Sequence, residues 1–143
     1  MDLKEMYREI VNEHNLHPEH KHDLDNPSAC LQGINPSCGD DIELKLKIEN
    51  GVITDGSFIG SGCAISQAST DMMLDLLIGQ SKEEADKIID VFLRMIKGEA
   101  SEEEIESLDE AAALQNISFM PARVKCAQLG WNTMKKIIDE DGK

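Results

Sequence analysis

Between positions 42 and 48 the chain alternates strictly, with Ile42, Leu44, Leu46 and Ile48 separated by Glu43, Lys45 and Lys47. Side chains along a strand point to opposite faces, so this stretch predicts a strand with one dry and one wet face. Asn50-Gly51 follows, a pair suited to the φ > 0 positions of a two-residue hairpin, and residues 52–59 are expected to return antiparallel. A third strand is expected near residues 31–34. Elsewhere the apolar positions recur at helical spacing. Leu3, Met6, Tyr7, Ile10 and Val11 mark a helix over residues 2–14, and Ile65, Ala68, Met72 and Leu76 mark one over residues 64–78 that Gly79 ends. Ala85, Ile88, Ile89, Phe92, Leu93 and Ile96 mark another, starting at the capping-box pair Ser81 and Glu84 and reaching residue 97. Pro121 suits an early helical position, with Val124, Ala127, Trp131, Met134 and Ile138 as the stripe behind it. The pattern predicts an α+β fold, a small three-stranded antiparallel sheet with helices packed on one face, built by residues 1–143 as a single domain.

Two segments fall outside this pattern. Residues 98–116 are acidic and mostly polar, with Ser101 and Glu104 marking a short capped helix, and are expected to form a peripheral insertion that is solvated or meets a basic partner. His14, His17, His20 and His22 crowd a polar stretch with Pro18 and several acids, which invites a metal-binding reading. The four imidazoles share no helical or strand register, so the expectation is a solvated connector.

Composition narrows the function. The formal charge of −14 argues against a nucleic-acid or anionic-membrane surface, both of which call for clustered Lys and Arg. No apolar N-terminal signal region and no run of about 20 apolar residues stands out, so a cytoplasmic location is expected. In a reducing compartment the four cysteines are expected to be ligands or reactive thiols rather than disulfides.

The cysteines differ in context. Cys38 lies in the turn Asn35-Pro36-Ser37-Cys38-Gly39-Asp40, which presents a thiol and a carboxylate together. Cys63 follows Gly60-Ser61-Gly62 at a predicted helix start, where free N–H groups and the helix dipole favour a thiolate. Cys126 lies in the first turns of the last helix, at the edge of its apolar stripe. Cys30, between Ala29 and Leu31, is expected to be a small buried or idle thiol. Three thiolates with Asp40 would suit tetrahedral Zn²⁺, and an iron–sulfur cluster is the alternative. Such a site is net anionic, and Arg123 and Lys125, which flank Cys126, could offset its charge and lower thiol pKa values.

In combination, residues 35–40 (NPSCGD), 60–66 (GSGCAIS) and 121–131 (PARVKCAQLGW) resemble the U-type iron–sulfur assembly proteins, the IscU/NifU-like family, over nearly the whole chain. Lys125 stands where the iron-scaffold branch has His, and that branch's Leu-Pro-Pro-Val-Lys motif is missing. The chain is therefore most similar to the SufU branch, and residues 98–116 look like that branch's insertion. The resemblance implies a SufE/NifU-like fold and a zinc site at Cys38, Asp40, Cys63 and Cys126. It also implies a pyridoxal-phosphate cysteine desulfurase of the SufS type as partner, with downstream Suf assembly proteins receiving the sulfur. The expected function is a zinc-containing sulfur acceptor, with Cys38 as first acceptor, Cys126 as its competitor, and Arg123 and Lys125 stabilising the anionic persulfide. The alternative is a scaffold on which a [2Fe–2S] cluster is assembled and transferred.

Overall fold

A computed structural model describes residues 2–141. Its sheet has three antiparallel strands, β1 (Ala29–Asn35), β2 (Asp40–Glu49) and β3 (Val52–Ser61), in the order β1-β2-β3. Ile42, Leu44 and Leu46 are fully buried on one face of β2, whereas Glu43, Lys45 and Lys47 are only half-buried on the other. A bulge between Lys47 and Ile48 interrupts the alternation and leaves Ile48 half-buried. Asn50 (φ 52°) and Gly51 (φ 77°) both take the left-handed backbone that a tight hairpin needs.

The helices are α1 (Leu3–Leu16), α2 (Ala64–Leu77), α3 (Lys82–Ile96), α4 (Glu102–Glu106) and α5 (Pro121–Glu140). Asp2 caps α1 by accepting from the Glu5 N–H at 2.8 Å, and Ser81 does the same for α3 with Glu84 at 3.1 Å. Between α2 and α5 the core is locked by shape and by polar bonds. Trp131 stacks on Phe92 with centroids 3.9 Å apart, and its Nε1 donates to Ser69 Oγ, which in turn donates to the Ala127 carbonyl. Gly130 lies so close to α2 that a Cβ there would meet Thr70 Oγ1 at 2.4 Å. This close approach holds the start of α5, with Cys126, against α2.

Two expectations need correction. Residues 98–116 are not peripheral, because Leu108, Ala111 and Leu114 are at most 1% exposed and, with Ile117 just beyond, belong to the main core. These four recur every third residue, the period of a 3₁₀ helix, and Asp109–Phe119 is a run of 3₁₀ turns. A search for 3.6-residue periodicity passes over that stripe. The histidine segment is not simply a solvated connector either. His14 is buried at the end of α1, and the Phe58 N–H of β3 donates to the His20 carbonyl at 2.9 Å, so the segment lies along the free edge of the sheet.

Candidate metal centre

Asp40 opens β2 on the same face as Ile42, Leu44 and Leu46, which carries its carboxylate inward to 1% exposure. A buried carboxylate is costly unless it is hydrogen-bonded and its charge is answered. Oδ1 accepts from the Cys63 N–H at 2.8 Å and from Ser66 Oγ at 3.0 Å, and Oδ2 accepts from Asn35 Nδ2 at 3.2 Å. All three donors are neutral. Among the described residues no Lys or Arg pairs with Asp40, since their ion pairs lie elsewhere.

The thiols gather around this carboxylate. Asn35 pairs with Asp40 across the β1–β2 hairpin, so residues 36–39 form a four-residue loop, and Gly39 (φ 70°) supplies its left-handed step. Cys38 on this loop is half-buried, with its Sγ 3.0 Å from Sγ of the fully buried Cys126. The Asn35 amide also reaches Cys126 Sγ, at 3.7 Å. Cys63 caps α2 and accepts from the Ser66 N–H at 3.4 Å. One donor atom from each of Cys38, Asp40 and Cys126 lies within 4.8 Å of the others. Cys63 stands outside that trio, yet its backbone N–H is bonded to Asp40, which places it beside the others. Three of the four expected ligands therefore meet directly, and the fourth borders them.

The electrostatics match a cation site. Burial first, then the contact with Cys38 and the nearby Cys63 and Asp40, push the Cys126 thiol well up from its ordinary value. Tyr7 on α1 borders the same region. Burial raises its phenol, Arg123 opposes that rise, and the charge of Cys63 adds to it. Arg123 and Lys125 are both exposed on α5 and, among the described residues, form no ion pair. Sulfur donors with one buried carboxylate and no internal counter-charge form a donor set that fits zinc, and the cluster's negative charge fits any divalent ion.

Residues 6–140 match the model of the NifU-like N-terminal domain. The chain belongs to that family. Across 95% of its length it is 41% identical to the iron–sulfur cluster assembly scaffold protein IscU of Streptococcus pyogenes, covering 84% of that relative. It is 36% identical to the zinc-dependent sulfurtransferase SufU of Bacillus subtilis, over 99% of this chain and 95% of that one. A crystal structure from Fervidobacterium islandicum, described as a candidate iron–sulfur assembly scaffold for the SUF system, superposes with a TM-score of 0.82 at 31% identity, covering 94% of this chain and 97% of that one. The family works in iron–sulfur cluster assembly, and this NifU-like chain has the three-stranded sheet and helices of its structural relatives. Among the described residues no helix is long and apolar enough to cross a membrane.

Cys30 is exposed on β1, donates a hydrogen bond to Glu43 and lies apart from the site, so of the two alternatives expected for it, buried or idle, the buried one fails. Sequence reasoning missed Asn35, Ser66 and Tyr7. Ser66 had a signal, because the third residue after a helix cap lies beside it. Asp40 also continues, at i−2, the dry row of β2.

Proposed function

We propose that this chain is a zinc-containing sulfur acceptor in iron–sulfur cluster assembly, acting in the cytoplasm, with Cys38, Asp40, Cys63 and Cys126 as the zinc ligands. The observation that supports this reading is the buried meeting of thiols 88 positions apart around a carboxylate that only neutral donors reach. Bound zinc would hold the thiols as thiolates and protect them from oxidation until a partner docks. Cys38 is the acceptor, because a half-buried hairpin loop moves outward at less cost than a buried turn of α5 or the cap of α2. Its thiolate attacks the terminal sulfur of the donor's cysteine persulfide. The donor S–S bond breaks, the donor cysteine leaves as a thiolate, and the persulfide now sits on Cys38. Arg123 and Lys125, exposed beside Cys126, attract the anionic persulfide as it arrives. The donor is a pyridoxal-phosphate cysteine desulfurase of the SufS type, and downstream Suf assembly proteins receive the sulfur. The name of the Bacillus subtilis relative supports this choice.

A second reading, a scaffold for a [2Fe–2S] cluster on the same residues, is favoured by the name of the Streptococcus pyogenes relative. One experiment separates the two. Metal and sulfide are measured in the purified chain, which is then incubated with cysteine and a desulfurase. Zinc, faster desulfurase turnover and a persulfide mass increment on Cys38 establish sulfur transfer. Iron with sulfide and no acceleration would install the scaffold reading in its place.

A further inference from the structure

A second convergence of ligands lies farther along α2. Asp71 and Asp75 are one helical turn apart, so their carboxylates share a face. His14, from the last turn of α1, meets both there, the three donor atoms lying within 4.8 Å of one another, while the His20 side chain, from the segment behind α1, reaches Asp75 alone. His14 Nδ1 is 2.6 Å from Asp71 Oδ2 and 4.0 Å from Asp75 Oδ2, while His20 Nε2 is 2.7 Å from Asp75 Oδ1. The remaining oxygen of Asp71 accepts from the His20 backbone N–H at 2.9 Å. His14 and Asp71 are 7% and 1% exposed.

The pairing of His14 has a chemical consequence. Its Nε2 is 3.2 Å from Glu110 Oε2, and a neutral ring can donate either there or from Nδ1 to Asp71, 2.6 Å away, but not to both. In the tautomer that donates to Glu110, Nδ1 and Asp71 face each other with lone pairs. Serving both carboxylates at once takes a second proton on the ring or a cation at Nδ1. Among the described residues no Lys or Arg pairs with Asp71, Asp75 or Glu110, so the choice is a proton on His14 or a bound cation. A metal-ligating histidine whose other N–H is held by a carboxylate has the orientation that Glu110 imposes here. Metal–ligand bonds of about 2.0–2.2 Å put neighbouring donors roughly 3–3.5 Å apart, and the 2.6 and 4.0 Å separations bracket that spacing. Solvent reaches the place, because Asp75 and Glu110 line an open cavity of about 690 Å³ together with Met6, Ile10, Met72 and Leu76.

We propose that His14, Asp71 and Asp75 form a second metal site, with Glu110 as the positioning residue behind His14. One imidazole nitrogen and two carboxylate oxygens, with solvent completing the shell, suit a first-row divalent ion such as Fe²⁺, Mn²⁺ or Zn²⁺, in contrast to the thiol-dominated site. The two sites share no residue, so this one stands whether the thiols carry sulfur or a cluster.

The test is a titration of the full chain, first saturated with one equivalent of zinc, with Co²⁺. The expected result is saturable binding with weak visible d–d bands, no thiolate-to-cobalt charge-transfer band, and paramagnetically shifted NMR signals from one imidazole. Asp75→Asn changes an exposed side chain and His14→Gln the imidazole itself, and each is expected to weaken binding at least about tenfold. His17→Gln and His22→Gln, which change histidines outside the cluster, are expected to leave it intact. Absence of cobalt binding, binding unchanged in both His14→Gln and Asp75→Asn, or a spectrum with only thiolate charge transfer overturns the proposal. Any of these results leaves His14 as a histidine hydrogen-bonded to Asp71.

Discussion

The start and the middle of α2 meet buried negative charge in different ways. At its first turn Asp40 is surrounded by an amide, a hydroxyl and a backbone N–H, which satisfy its lone pairs but leave its charge uncancelled. Two turns later Asp71 is met by an imidazole, which can carry a proton or share a cation. The thiol site therefore depends on a bound cation for its charge balance, whereas the histidine site can close on a proton alone. Neutral donors orient an anion, and titratable ones can also neutralise it. Removing metal should accordingly be felt mostly at the thiols.

The strongest test of that contrast is Cys38→Ser. Persulfide formation on the chain should fall to background, while Co²⁺ binding at His14, Asp71 and Asp75 stays as it was, as mass spectrometry and visible titration would show. Persulfide at normal yield in this variant would move the acceptor role to Cys126. Next in size is metal removal. A ligand present at a thousand times its Kd stabilises by about 4 kcal/mol, so a strong chelator should lower Tm by about 10 °C in a chain of this size. In Cys126→Ser, which has lost a buried ligand, the chelator should do little more. An unchanged Tm in the unsubstituted chain would mean that metal and fold are not coupled.

Gly130→Ala sharpens the contrast by geometry. The added methyl meets Thr70 and forces α5 away from α2, at a cost of about 1–3 kcal/mol in denaturant unfolding. Cys126 moves with α5, so zinc affinity should fall, whereas cobalt affinity at the ligands on α1 and α2 should hold. The smallest effect is expected at Arg94–Glu104, remote from both sites. Arg94 first, and then the Ser101 backbone, lower the Glu104 carboxyl from 4.5 to about 2. A lowered folded-state pKa contributes stability above the unfolded value, and that contribution is lost as pH falls from 4.5 towards 2. In Glu104→Gln the decline of Tm over that range should be shallower. The pair is partly solvent-exposed, so the change should be small.

Much of the frame was legible in the order of residues. The alternation around Ile42 to Leu46 and the Asn50-Gly51 pair predict the hairpin, because strand period and turn conformation are local properties. The three cysteine motifs likewise mark a turn, a helix cap and the first turns of a helix. The core role of Leu108 to Ile117 was hidden by an acidic composition and a three-residue period.

By itself the sequence determined which segments become strands and helices, and which cysteines stand at backbone positions able to present a thiol. Only the tertiary structure decided that Cys38 lies 3.0 Å from Cys126, that Asn35 and Ser66 hold Asp40, and that His14 faces Asp71 across 57 positions. Periodicity and turn chemistry act between near neighbours. Distances between remote side chains follow from how helix faces pack on a sheet, as where Gly130 meets Thr70, and such a contact is a property of both surfaces at once.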